Sequence, residues 1–120
     1  MRQIKFRGWD ATGQKGWVYG DLVHNQKVTM TGLEPRVMIG GYEVIPESIG
    51  QFTGILDRNG KEIYEGDKVF VSKYGVCCVK WNKGRCQFEL CNFEGYYFNT
   101  LCELCGSLYE VIGNLYNNLP

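Results

Sequence analysis

The chain has 120 residues, 44% of them apolar and 14% aromatic, with 13 Lys plus Arg set against 13 Asp plus Glu. That length suits one domain, or two small lobes sharing a core, and the apolar content excludes a disordered chain. Balanced charge withholds the basic field on which tight nucleic-acid binding depends, and no apolar run approaches the roughly 18 residues of a membrane-spanning helix.

In chain order, the start MRQIKFRGWD alternates charged and apolar residues and lacks the apolar core of a signal peptide. A cytoplasmic protein is expected, its six cysteines reduced. The adjacency of Cys77 and Cys78 agrees, because a disulfide between sequence neighbours is strained. Ile4 and Phe6 share one face and Lys5 and Arg7 the other, which predicts a half-buried strand. ATGQKG reads as a loop and residues 17–23 as the second strand of a hairpin. The polar residues 24–27 predict a turn before VTM. Residues 31–36, with Gly32 and Pro35, predict a loop, and 37–39 a strand ended by Gly40 and Gly41. Pro46 and Gly50 bracket a single 3₁₀ turn.

From Phe52 the pattern is strand, turn, strand: QFTGIL, DRNG, KEIY. Asn59-Gly60 predicts a type I′ hairpin turn, because both residues tolerate positive φ. Alternation then continues through residues 65–101, with turns at Tyr74-Gly75, at 82–84 and at Glu94-Gly95. Strands roughly every ten residues predict a meander that closes into a small barrel. In SLYEVIGNLYNN, Gly113 discourages a helix, so a strand to about Gly113 and a loose end are expected. Residues 1–120 read as a single domain whose weakest seam near Gly66 divides lobes 1–65 and 66–120.

Five polar residues of the central segment (Asp57, Asn59, Glu62, Glu65 and Asp67) first suggest a ligand loop. The glycine falls at the wrong position for a calcium loop, and Arg58 and Lys61 bring opposing charge. Asp57 is therefore expected to cap the turn. CELCG at residues 102–106 is a CxxC half-site for zinc, but its nearest complement, Cys86 and Cys91, is spaced by four residues. The set Cys86, Cys91, Cys102 and Cys105 is thus a minority reading beside cysteines that act as small core residues. A redox CxxC would need a βαβ context, which is absent. His24, the only histidine, reads as a surface loop residue, and no nucleophile elbow or phosphate loop is present. No enzyme, cofactor or resident metal is expected.

The segments IKFRGWD, VIPESIGQFTGILDRNGKEIYEGDKV and YEVIGNLY, in that order and spanning most of the chain, closely resemble the YopX family of phage and prophage proteins. The resemblance implies a mainly β fold of coiled and bifurcated antiparallel sheets with an SH3-like small barrel in the C-terminal half and at most one or two short helical turns. It also implies a cytoplasmic protein of phage or prophage origin in a bacterial host. It carries over no activity and no catalytic residue. The cysteine-rich segment 77–105 departs from the family pattern.

The expected function is a non-enzymatic protein-interaction module whose partner is another protein or a second copy of the chain. It would act through strand edges and exposed aromatics, since three adjacent aromatics, Tyr96, Tyr97 and Phe98, cannot all face inward. The alternative is nucleic-acid binding by the barrel, with Lys73, Lys80, Lys83 and Arg85 on one face and Trp81 and Tyr97 stacking on bases. Lys80, Trp81, Lys83, Arg85, Tyr96 and Tyr97 form the candidate surface, and no membrane contact is expected.

Overall fold

Antiparallel pairing accounts for nearly all of the regular structure in the computed structural model, which describes residues 3–94 and 96–117. Among the described residues there are twelve strands, and the two helical segments are 3₁₀ turns at Pro46–Ser48 and Glu103–Leu108. The mainly β expectation holds. The chain divides into two compact units at Gln51/Phe52, ahead of the seam read at Gly66.

In the first unit, β1 (Phe6–Trp9) pairs with β2 (Trp17–Gly20) in the register Trp9↔Trp17, and the two indoles meet edge to face at 5.3 Å. The hairpin loop is organised by Asp10, whose carboxylate accepts from Thr12 N, Thr12 Oγ1 and Lys15 N. Arg7 corrects the expected alternation. It is buried, with its guanidinium 4.5 Å from the centre of the Trp17 ring, because β1 is an inner strand of its sheet and Trp17 of the neighbouring β2 covers this side chain. The 3₁₀ turn at Pro46–Ser48 is found as expected. Ser48 explains its value: its hydroxyl accepts from Trp9 N at 2.7 Å and donates to Ile45 O at 2.6 Å, which fastens the turn to β1.

The rest of the first unit departs from the sequence reading. Residues 24–27 are not a turn and 32–36 are not a loop. They lie in β3 (Leu22–Thr29) and β4 (Gly32–Ile39), paired along their whole length and joined at Met30-Thr31, so that of the expected loop only Thr31 is one. β5 (Tyr42–Glu43) pairs only with Met38 and Ile39, so beyond that point β3 and β4 form a two-stranded ribbon. Its base enters a small core of Val18, Ile39 and Val44.

In the second unit, the residues of β6 (Gly50–Leu56) from Phe52 onward pair with β7 (Glu62–Tyr64) across the DRNG turn. Asp57 caps that turn as expected, accepting from Asn59 N and Lys61 N. The turn type differs: among the described residues Cys86 is the only non-glycine with positive φ, so Asn59 lacks it and Gly60 alone supplies it at 79°. With Gly60 N donating to Asp57 O, this is a type I turn followed by a left-handed glycine rather than type I′.

Strands β8 (Asp67–Val71), β9 (Gly75–Asn82), β10 (Gln87–Cys91), β11 (Tyr97–Thr100) and β12 (Tyr109–Asn114) form one sheet in the order β11-β10-β9-β8-β12. The expected closure into a barrel is corrected: among the described residues β11 and β12 do not pair, and the sheet is open. Its inner face packs Val69, Val71, Cys77, Val79, Leu90 and Val111 with Ile55, Ile63, Leu101 and Tyr109. Each such side chain contributes roughly 1.5–3 kcal/mol of burial. Gly106 of the CELCG stretch serves this packing, since a Cβ there would stand 2.6 Å from Leu56 O. Gly95 of the expected Glu94-Gly95 turn and the loose end beyond residue 117 lie outside the described residues. Among those described, no helix is long and apolar enough to cross a membrane.

Candidate interaction surfaces

The residues singled out on the C-terminal strands do not form one surface. In the β9–β10 register Lys80 faces Glu89 and Trp81 faces Phe88, so Lys80 and Trp81 project from opposite faces of the sheet. Trp81 stays on the core side, edge to face with Phe88 at 4.9 Å, at the exposed rim. Lys83 is exposed in the β9–β10 turn, and Lys73 lies in the β8–β9 turn with its ammonium over the Tyr74 ring. Tyr96 and Tyr97 are exposed, while Phe98 turns inward and stacks on Tyr74 at 4.9 Å.

Arg85 and Tyr97 are brought together, but around an acid. Glu89 is 2% exposed on the outer face of the sheet. It accepts hydrogen bonds from Asn82 Nδ2 at 3.0 Å, Arg85 at 3.0 Å and Gln87 Nε2 at 2.6 Å. Burial pushes the Glu89 carboxyl up, yet these donors and the Arg85 charge outweigh it and hold the group below its ordinary value. The Arg85 guanidinium also lies 4.6 Å from the Tyr97 ring centre. Both groups that were to meet a phosphate and a base are therefore committed to each other and to Glu89. What remains of the basic set on this face is Lys80, which lies beside Lys68 of β8, whose ammonium stands over Phe93.

The zinc set is not assembled. Cys86 sits in the turn before β10 and Cys91 at the far end of that strand, which puts roughly 16 Å between them at the rise of an extended chain. An x₄ spacing inside a strand cannot close on one ion. Among the described residues no three His, Cys, Asp or Glu side chains converge as metal ligands. Cys102 and Cys105 do meet at the Glu103–Leu108 turn, where contact with the Cys102 thiol is the main influence pushing Cys105 up. Burial raises Cys77, Cys78 and Cys91, so all three are held as neutral thiols.

The most open apolar surface lies in the first unit, where the sequence reading had placed loop and turn. On the β3–β4 ribbon the pairs Leu22↔Ile39, His24↔Val37, Gln26↔Pro35 and Val28↔Leu33 share one face. That face starts in the core at Ile39 and runs outward until Val28 is 83% and Leu33 64% exposed, with Met30 fully exposed at the tip. The opposite face is polar beyond the pair Val23↔Met38 at its base: Arg36 donates to Asn25 Oδ1 at 2.7 Å, and Lys27 is paired with Glu43 at 3.0 Å. His24, expected in a surface loop, is exposed in mid-strand. It borders a cleft of about 320 Å³ with Pro35, Arg36, Val37, Glu43 and Pro46, whose one carboxylate, Glu43, is held by Lys27.

The sequence reading missed Val28, Met30 and Leu33. A signal for them was present in the shared parity of Val28 with Leu22, and of Leu33 with Val37 and Ile39, across a short Met30-Thr31 connection.

A comparison with curated proteins gives no match. Among solved structures, the chain is similar to the crystal structure of protein EF1440 from Enterococcus faecalis. The two are 25% identical with a TM-score of 0.58, over 98% of this chain and 96% of that one. The sequence pattern of the YopX protein matches residues 5–119. Matched over nearly its whole length, the chain belongs to the YopX family.

Proposed function

We propose that this chain is a phage-type protein of the bacterial cytoplasm that works by binding another protein and catalyses no reaction, with the β3–β4 ribbon as its binding element. One observation carries the reading: an amphipathic two-stranded ribbon whose apolar face is open to water at Val28, Met30 and Leu33. A ribbon beyond its supporting strand gains little stability from apolar residues that stay wet. Contiguous exposed apolar groups beside a polar face are the usual mark of a partner surface. The outer face of the C-terminal sheet supports nucleic-acid binding less well, because Arg85 is neutralised by Glu89 and Trp81 points the other way. The test is affinity capture from cells carrying the phage or prophage, comparing the parent chain with a Val28→Ser/Leu33→Ser variant. A protein retained by the parent and lost by the variant, with the fold unchanged by circular dichroism, is the expected result. Equal capture by both removes the ribbon from the function.

A further inference from the structure

Resting on that reading, the edge of the same ribbon identifies one partner: we infer that β3 pairs antiparallel with β3 of a second copy, joining two three-stranded sheets across a two-fold axis at Asn25.

The direction of the backbone groups comes first. Val37 O accepts from Val44 N and so points away from β3. Val37 is opposite His24, and antiparallel pairs alternate between hydrogen-bonded and non-hydrogen-bonded. Leu22, His24, Gln26 and Val28 therefore direct their N–H and C=O groups to the outside. β3 is an edge strand of eight residues without proline, and among the described residues it pairs only with β4. Sheet edges are normally blunted by proline, by a projecting lysine or by brevity. The outer part of β4 carries Pro35, and β5 is two residues long. On β3 the lysine is drawn away, since Lys27 reaches across β4 to Glu43 on β5.

The strand is also complementary to itself. Outward-facing positions must pair with outward-facing positions, and the register with Asn25 opposite Asn25 satisfies this over residues 22–28. Leu22 then faces Val28 of the second copy, and His24 faces Gln26, for about eight new backbone hydrogen bonds. Val28, the most exposed apolar residue of β3, gains the half-buried Leu22 as its cross-strand neighbour. The register that fits the hydrogen bonds is thus the one that fits the apolar side chains.

Analytical ultracentrifugation of the full chain, from micromolar to submillimolar concentration, tests this. A species of twice the 13.7 kDa chain mass is expected. Gln26→Pro removes an outward donor and no bond to β4, so it should keep the fold and weaken self-association by roughly tenfold or more. Asn25→Cys places two thiols on the axis, and mild oxidation should give a 25–25 disulfide found by peptide mapping, which Thr31→Cys at the tip should not. A chain monomeric at every concentration, a Gln26→Pro variant that associates like the parent, or cross-linking no faster at Asn25→Cys than at Thr31→Cys overturns the inference. The two readings fail separately. A monomer whose captured protein is lost on Val28→Ser/Leu33→Ser keeps the interaction module and removes the second copy as its partner. A dimer abolished by Gln26→Pro, with capture unchanged in the ribbon variant, keeps the pairing and removes the ribbon's apolar face as the site of the captured protein.

Discussion

Two edge strands of this protein end differently. On β12 of the five-stranded sheet the outward groups are taken up, because Arg58 N donates to Tyr109 O and Asp57 Oδ2 accepts from Val111 N at 2.9 Å. The DRNG turn, first read as a ligand loop, is the cover over that edge. The longer β3 has, among the described residues, only β4 beside it. The apolar residues follow the same division. Those on the inner face of the five-stranded sheet close a core, whereas those at the ribbon tip end in water. One antiparallel geometry therefore has two outcomes: where a turn seals the edge and a core covers the face, it makes a stable body, and where neither happens it leaves an edge and an apolar face open to water.

The sharpest way to break this contrast is to make the same substitution in both places. Leu90, 1% exposed, should cost about 2–5 kcal/mol as Leu90→Ala, through lost burial and the cavity left behind. Leu33→Ala at the ribbon should stay within about 0.5 kcal/mol. Denaturant unfolding of the two variants measures both, and a Leu33→Ala cost near that of Leu90→Ala would show that the ribbon face is buried after all.

Next in size is the seal itself. Asp57→Ala strands the N–H groups of Asn59, Lys61 and Val111 and should cost about 2 kcal/mol. Amide exchange should rise at Val111 as the β12 edge opens. Unchanged exchange there would mean that the turn does not guard the edge.

The smallest expected effect is electrostatic. Glu89 is held below its ordinary carboxylate value of 4.5, so the unfolded chain binds the proton more readily than the folded one. Its stabilisation is complete above about pH 4.5 and is lost as the pH falls through the folded value. Asp10 behaves alike in the first unit, held down chiefly by the Thr12 hydroxyl and then by the Lys15 amide. Glu89→Gln should flatten the acid limb of stability against pH and leave the alkaline side unchanged. An unaltered acid limb would assign that loss to other carboxylates.

Legibility in the sequence followed the presence of a buried face. The alternation of residues 67–71 was readable because one side of β8 is core, and register is strongly specified wherever one face is dry. Asp57 and Gly60 were readable because turn geometry is local chemistry. The ribbon was misread because His24, Asn25, Gln26 and Lys27 are wet or half wet, so strand and loop look alike at the level of composition. Arg7 was misplaced for the converse reason: nothing nearby in sequence says that Trp17 will cover it.

The sequence by itself determined the mainly β class, the 3₁₀ turn at Pro46 and the capped turn at Asp57, because periodicity, glycine and proline act within a few residues, and the resemblance of three segments pointed to the family. Only the tertiary structure decided that Trp81 and Lys80 face apart, that Glu89 claims Arg85, that Cys86 and Cys91 stand a strand apart, and that the sheet stays open with its β12 edge sealed while β3 is left bare. Those outcomes depend on which strands lie side by side, and pairing joins residues as distant in the chain as Asp57 and Val111, where local pattern has no reach.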